Sequence, residues 1–334
     1  MSTETLPVRA KHLLTETTRV PLRPRYEGSN ICTWIGFKHV NYLVEEAVLE
    51  HFRCAGLPAR GLYEEYGLGV DLVDLDTRIP HALHMDDSVD AEVVPVTREG
   101  DPVLRFRVTL TLERGGRRVK AATSKVRVSL RTAEGPGEAG QPPSPLRPYT
   151  VPVLGRHESA SGPGSPTGQA PHADGDGLLE RLTAGENAFG WKWRIPYPYC
   201  HFSERLQMSG YLRVMEEVVE LFLADRGISI RQLLEDRRWI PVVPHSRIQI
   251  LDEVLMEEDL YTVYTVEEIF KTLTYTSRMD CYALRDGHPV RAATGRITHG
   301  YAVIDSRRDW SLVEFDDRVV HALSGPEPAD RVRP

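Results

Sequence analysis

The stretch Val119-Lys-Ala-Ala-Thr-Ser-Lys-Val126 returns 171 residues later as Val290-Arg-Ala-Ala-Thr-Gly-Arg-Ile297. The same offset carries back along the chain without slipping. Tyr26 meets Tyr197, Glu45-Glu46 meets Glu216-Glu217, Gly56 meets Gly227, Arg60 meets Arg231 and Glu64 meets Glu235. One register held over such a span is the mark of an internal repeat, each copy being one folding unit. A chain of 334 residues also exceeds what a single hydrophobic core usually fills. Two units are therefore expected, at 17–133 and 181–315, with a C-terminal tail at 316–334. Residues 134–180 are rich in Pro, Gly and Ser and poor in apolar side chains, and read as a disordered linker.

Within each copy the apolar period changes once. Val40, Leu43, Val44, Ala47 and Val48, and then Tyr211, Leu212, Val214, Met215, Val218, Val219 and Phe222, recur at helical spacing. Gly56 and Gly227 stand where a helix end favours positive φ. Further on, Leu104, Phe106, Val108, Leu110 and Leu112 alternate with polar residues, as in an antiparallel strand with one face buried. Arg114-Gly-Gly-Arg117 and Arg285-Asp-Gly-His288 read as hairpin turns. One long helix followed by several antiparallel strands, twice over, is an α+β layer in which a sheet wraps a helix.

The segment Gly36-Phe-Lys-His39-Val40-Asn41-Tyr42-Leu-Val-Glu-Glu-Ala47 resembles the helix start of hotdog-fold acyl thioesterases of the 4-hydroxybenzoyl-CoA and plant acyl-ACP type. The resemblance covers most of 17–132 and 188–303. It implies a tandem double hotdog packed as a pseudo-dimer, with acyl-thioester sites at the interface. It also implies a carboxylate near the helix start that activates water or attacks, and helix-end N–H groups that hold the thioester oxygen. Between Ile31 and Val40 the first copy has no Asp or Glu. The second supplies His201 and Glu204, the latter opposite Thr33, but has Gly210 and Leu212 where the first has His39 and Asn41. The expected catalytic set is therefore Glu204, His39, Asn41 and His201, in two unequal sites of which one dominates.

Trp34, Tyr42, Tyr199 and Trp239 are candidates to line an acyl or aryl channel. Arg60 and Arg231 are candidates for carrier phosphates, because no Gly-rich phosphate loop is present. Glu45, Glu46, Glu216, Glu217 and Glu220 read chiefly as a solvated helix stripe, with a catalytic role as the lesser reading. His81, His84 and His245 have no ligand spacing, so no metal is expected. No cofactor is expected beyond the coenzyme A or phosphopantetheine of the substrate.

A net charge of −7 without a basic stripe argues against nucleic acid, and no apolar run is long enough to span a membrane. Cys32, Cys54, Cys200 and Cys281 form no metal or disulfide pattern, which fits the cytoplasm. The leading expectation is a thioesterase acting on acyl-CoA or an acyl carrier protein, in specialised biosynthesis of polyketide or fatty-acid type. Dehydration of a β-hydroxyacyl thioester and acyl binding without turnover are the alternatives. A homodimer of double hotdogs is left open.

Overall fold

The computed structural model describes residues 6–133, 135, 139–155, 177–200 and 203–325. The repeat seen in sequence is a repeat of elements. The first unit runs α1 (Leu6–Thr15), β1 (Thr18–Leu22), α2 (Phe37–Cys54), α3 (Ala59–Tyr66), β2 (Leu68–Arg78), β3 (Val89–Pro95), β4 (Leu104–Arg114) and β5 (Arg117–Thr132). A short β6 (Thr150–Val151) follows. The second unit repeats this order as α4 (Leu178–Thr183), β7 (Ala188–Arg194), α5 (Met208–Asp225), α6 (Ile230–Arg237), β8 (Trp239–Ile250), β9 (Asp259–Phe270), β10 (Thr274–Arg285) and β11 (His288–Ile304). It ends with β12 (Trp310–Val313) and α7 (Asp317–Ser324).

Ten strands form one antiparallel path, β1-β3-β4-β5-β2-β8-β11-β10-β9-β7, while β12 and β6 pair with β11 and β5. The two halves join where β2 pairs with β8, and there Asp76 lies opposite Arg247, its own repeat counterpart. A pseudo-two-fold axis therefore passes through that pair. The long helices α2 and α5 carry one buried face each. Val40, Val44, Ala47, Val48 and Phe52 of α2 are fully enclosed, as are Val214, Met215, Val218 and Phe222 of α5. Each large apolar side chain so enclosed contributes about 1.5–3 kcal/mol. Both helices stop as expected: Gly56 (φ 74°) and Gly227 (φ 69°) turn left-handed. The next amides bond back, Leu57 N to Phe52 O and Ile228 N to Leu223 O, at 2.9 Å each.

The fold is thus the expected α+β double hotdog, with corrections at the boundaries. The first unit begins before residue 17, because α1 buries Ala10 and Leu13. Residues 139–155, expected as part of the linker, are anchored by the buried Leu146, Tyr149, Val151 and Leu154, with Val151 paired to β5 of the first unit and Leu154 N bonded to Glu253 of the second. Four well-spaced apolar anchors outweigh a Pro-rich average composition. Residues 316–325 of the expected tail also fold: Asp316 caps α7 by accepting from Val319 N at 2.9 Å, and Val319 and Leu323 are buried. Residues 156–176 of the expected linker lie outside the described residues.

Candidate active site

The loops leading into α2 and α5 are held by matching backbone bonds. Ile35 N reaches Leu83 O and Met85 N reaches Thr33 O, as Leu206 N reaches Val254 O and Met256 N reaches Glu204 O. Differences between the two helix starts therefore lie in side chains on a shared frame.

His39 sits in the first turn of α2 under Gly28, where a Cβ would come within 2.7 Å of its ring. The second unit inverts this column. Gly210 replaces His39, Tyr199 replaces Gly28, and a Cβ on Gly210 would meet Tyr199 O at 2.7 Å. The imidazole lies edge-on to Tyr42 at 5.1 Å, with Nε2 3.8 Å from a carboxylate oxygen of Glu27. Burial lowers its pKa, helped by Lys38 and opposed by Glu216 and Glu27, so it is neutral near pH 7 and able to accept a proton.

The second copy completes the surroundings. Lys38 binds the Glu216 carboxylate of α5. The Tyr42 hydroxyl donates to Ser209 O and accepts from Arg213 Nε, both at 3.2 Å. Arg213 is the repeat counterpart of Tyr42, so the two helices cross on the pseudo-two-fold axis. The start of α2, whose first N–H groups have no intrahelical acceptor, thus faces a glutamate from the opposite helix.

Asn41, expected in the catalytic set, is held within the fold instead. It is 1 % exposed, donates to Phe37 O (2.9 Å) and Ser246 Oγ (3.2 Å), and accepts from Thr77 Oγ1 (2.6 Å). Thr77 in turn bonds Ser124 Oγ at 2.6 Å. These bonds fix α2 to the seam strands of both copies and leave the amide little freedom for substrate.

Glu204 is exposed at a left-handed turn (φ 58°) before α5, and His201 lies outside the described residues. The helices run antiparallel, with Lys38 level with Glu216 and Tyr42 level with Ser209, so their starts lie roughly 10–15 Å apart along the axes. Glu204, four residues before α5, is not brought to His39. The α5 start is instead filled by buried charge. Arg205 pairs with Asp71 at 3.0 Å and nears Glu253 at 3.9 Å, and Arg131 holds Glu253 at 2.8 Å. Trp34, at the position equivalent to Arg205, packs on Ile240 and Ala302 in an apolar cluster, with Trp310 edge-on at 5.7 Å. The α2 start combines the Trp34 cluster with His39 and the Lys38–Glu216 pair, whereas the α5 start is closed by the buried ions Arg205, Asp71 and Glu253.

Of the remaining candidates, Tyr199 bonds Glu217 and lies under Arg213, while Trp239 stacks on Tyr301 at 6.0 Å. Arg60 and Arg231 fold onto Glu64 and Glu235 of their own exposed helices, each at 2.8 Å, away from either helix start. The sequence reading missed Gly28, Glu27 and Arg213, and undervalued Glu216 and Glu45. Half-buried carboxyls at a helix crossing resemble solvated ones until the opposite helix is known. Glu45 mirrors Glu216; its Oε2 is buried without a partner, and burial, then Glu46 and Asp71, raise its pKa to about 7.

This arrangement defines a double-hotdog protein of thioesterase-like fold with unequal helix starts. No protein-family model and no curated relative matches the sequence. Solved structures do. A Lactobacillus plantarum protein assigned as an oleoyl thioesterase is similar over 86% of this chain and 96% of its own, with 9% identity and a TM-score of 0.55. The 12:0-ACP thioesterase of Umbellularia californica covers 85% and 93%, at 12% identity and TM-score 0.54. An acyl-ACP thioesterase of Bacteroides thetaiotaomicron covers 85% and 97%, at 8% identity and TM-score 0.50. At such identities the likeness establishes the fold.

Proposed function

We propose that the protein hydrolyses an acyl thioester, carried by coenzyme A or an acyl carrier protein, at the α2 start of the first unit. The observation that carries this is the neutral His39 under Gly28 at a helix N-terminus, opposite Glu216 of the second copy. The first N–H groups of α2, at Phe37 and Lys38, would hold a thioester carbonyl as it gains negative charge, and one such donor supports about 10²–10³ in rate. His39 takes a proton from water as its oxygen bonds the carbonyl carbon. The C–S bond then breaks, and the thiolate recovers that proton from the imidazolium, which Glu27 and Glu216 stabilise. General-base help of this kind is worth about 10²–10⁴. The acyl end meets the Trp34 cluster and the second unit.

The absence of a carboxylate at Thr33 favours a histidine-based reaction over direct carboxylate attack, and Glu204 is left as a candidate for carrier contact. Free cysteines at 32, 54, 200 and 281 fit a reducing compartment, for which the cytoplasm is our proposal. The test is thiol release from a panel of acyl-CoA and carrier-bound thioesters with wild type and His39→Gln. Release that His39→Gln lowers at least about a hundred-fold supports the reading. An enoyl product, or saturable binding without release, would point to dehydration or to a binding protein instead.

A further inference from the structure

The repeat provides an internal control for the interior of the second unit. Tyr264, Tyr275, Tyr301 and His299 stand at positions where the first unit has Val93, Leu104, Leu130 and Val128, and Ser277 replaces Phe106. All five are buried, at 3 % exposure or less. The first unit builds the same sheet and helix with hydrocarbon there, so folding does not require these polar groups. Their arrangement is costly. Tyr264 bonds Ser277 Oγ at 2.5 Å, and its hydroxyl also interacts with that of Tyr275, which in turn interacts with that of Tyr301, whereas both ring nitrogens of His299 have no partner. A buried imidazole with neither nitrogen bonded is destabilising.

The cluster also lies on the path from the site. Glu216, bound to Lys38 at the α2 start, is six residues before Phe222, whose ring is 5.1 Å from that of Tyr264. That is about 9 Å along α5. Trp239, stacked on Tyr301, borders the same region. Phe315 fills the space beside Tyr275 and Tyr301, at ring distances of 6.1 and 5.6 Å. It sits on the connection between β12 and α7, outside the ten-strand path, tied by its N–H to Thr272 O at 2.6 Å.

We propose that the interior of the second unit is an acyl-binding site that selects chains bearing oxygen functions, keto or hydroxyl groups, over saturated hydrocarbon. This rests on the reading that the α2 start holds the thioester. His299 supplies one unpaired donor and one unpaired acceptor, and the phenols beside it, bonded to one another, turn to donate to ligand carbonyl or hydroxyl oxygens. Burial keeps these groups neutral, raising the phenols and bringing His299 down to about 3. A hydrocarbon chain would leave both nitrogens of His299 unpaired, which is the basis of discrimination.

The test uses two non-hydrolysable pantetheine amides of equal chain length, one saturated and one with two keto groups, titrated calorimetrically into the full chain. The wild type is expected to bind the keto chain about ten-fold tighter or more. In Tyr275→Phe/Tyr301→Phe, and separately in His299→Val, the ratio is expected to fall toward one with saturated-chain affinity unchanged. His299→Val loses orphaned polar atoms and is expected to melt no lower than wild type, so a lost ratio in that variant is not lost folding. Equal binding of the two amides by wild type, or a ratio unchanged in the variants, overturns the proposal. Discrimination between amides without hydrolysis of any thioester would sink the proposed hydrolysis and leave this site standing; hydrolysis without discrimination would do the reverse.

Discussion

Replacing Glu45 by Gln isolates the cost of a carboxyl buried between the two long helices. Its pKa is raised to about 7, against 4.5 for an ordinary glutamate, by burial first and then by Glu46 and Asp71. Below pH 4.5 the group is protonated whether folded or unfolded, and its contribution is fully present. As pH rises from 4.5 to 7 the unfolded chain releases a proton that the folded chain keeps, so stability is lost through this window. The difference of 2.5 units, at 1.36 kcal/mol each, is about 3 kcal/mol. Glutamine has the same shape and no charge. The variant is therefore expected to match wild type near pH 4.5 and to exceed it by about 3 kcal/mol above pH 7, or roughly 5 °C in Tm. Thermal melts of both proteins at pH 5, 6, 7 and 8 read the gap directly. A gap that is constant with pH, or that closes as pH rises, refutes the reasoning.

Gly28→Ala places a methyl 2.7 Å from the His39 ring, so thiol release is expected to fall at least about ten-fold while circular dichroism is unchanged. Asn41→Ala strands Thr77 and Ser246 at the seam and is expected to cost about 1–3 kcal/mol in urea unfolding, whereas His39→Gln costs turnover and little stability. Arg205→Met leaves Asp71 buried and uncompensated, an expected loss of about 3–5 kcal/mol. Adding Asp71→Val, the residue type of its repeat counterpart Val242, is expected to recover most of that loss in the same unfolding assay.

The architecture was legible because it is written twice. The 171-residue register, the helical stripe ending at Gly56 and Gly227, and the alternation from Leu104 to Leu112 each describe a local period, and the structure keeps all three. Boundaries were less legible. Leu146, Tyr149, Val151 and Leu154 carry the packing of a Pro-rich segment, and composition averages over them. The site was legible in part. His39 was found through its neighbours Val40 and Asn41, and the inequality of the two helix starts through Gly210 and Thr33. Its other half depends on which residues of α5 meet α2, and no period within one copy encodes that. Glu216 and Arg213 gain their place only from the antiparallel crossing at Tyr42. The sequence reading joined Glu204 to His39 because the two complete one motif, but they belong to opposite ends of the helix pair.

The central claim is that one of two related helix starts holds the thioester. The direct measurement is the number of sites per chain for a non-hydrolysable acyl-CoA analogue, by calorimetric titration of wild type, Gly28→Leu and Arg205→Met/Asp71→Val. One site is expected, lost in Gly28→Leu, whose side chain fills the place of the His39 ring, and kept in the variant altered at the α5 start. Two sites, or one that survives Gly28→Leu and disappears on changing Arg205 and Asp71, would contradict the claim.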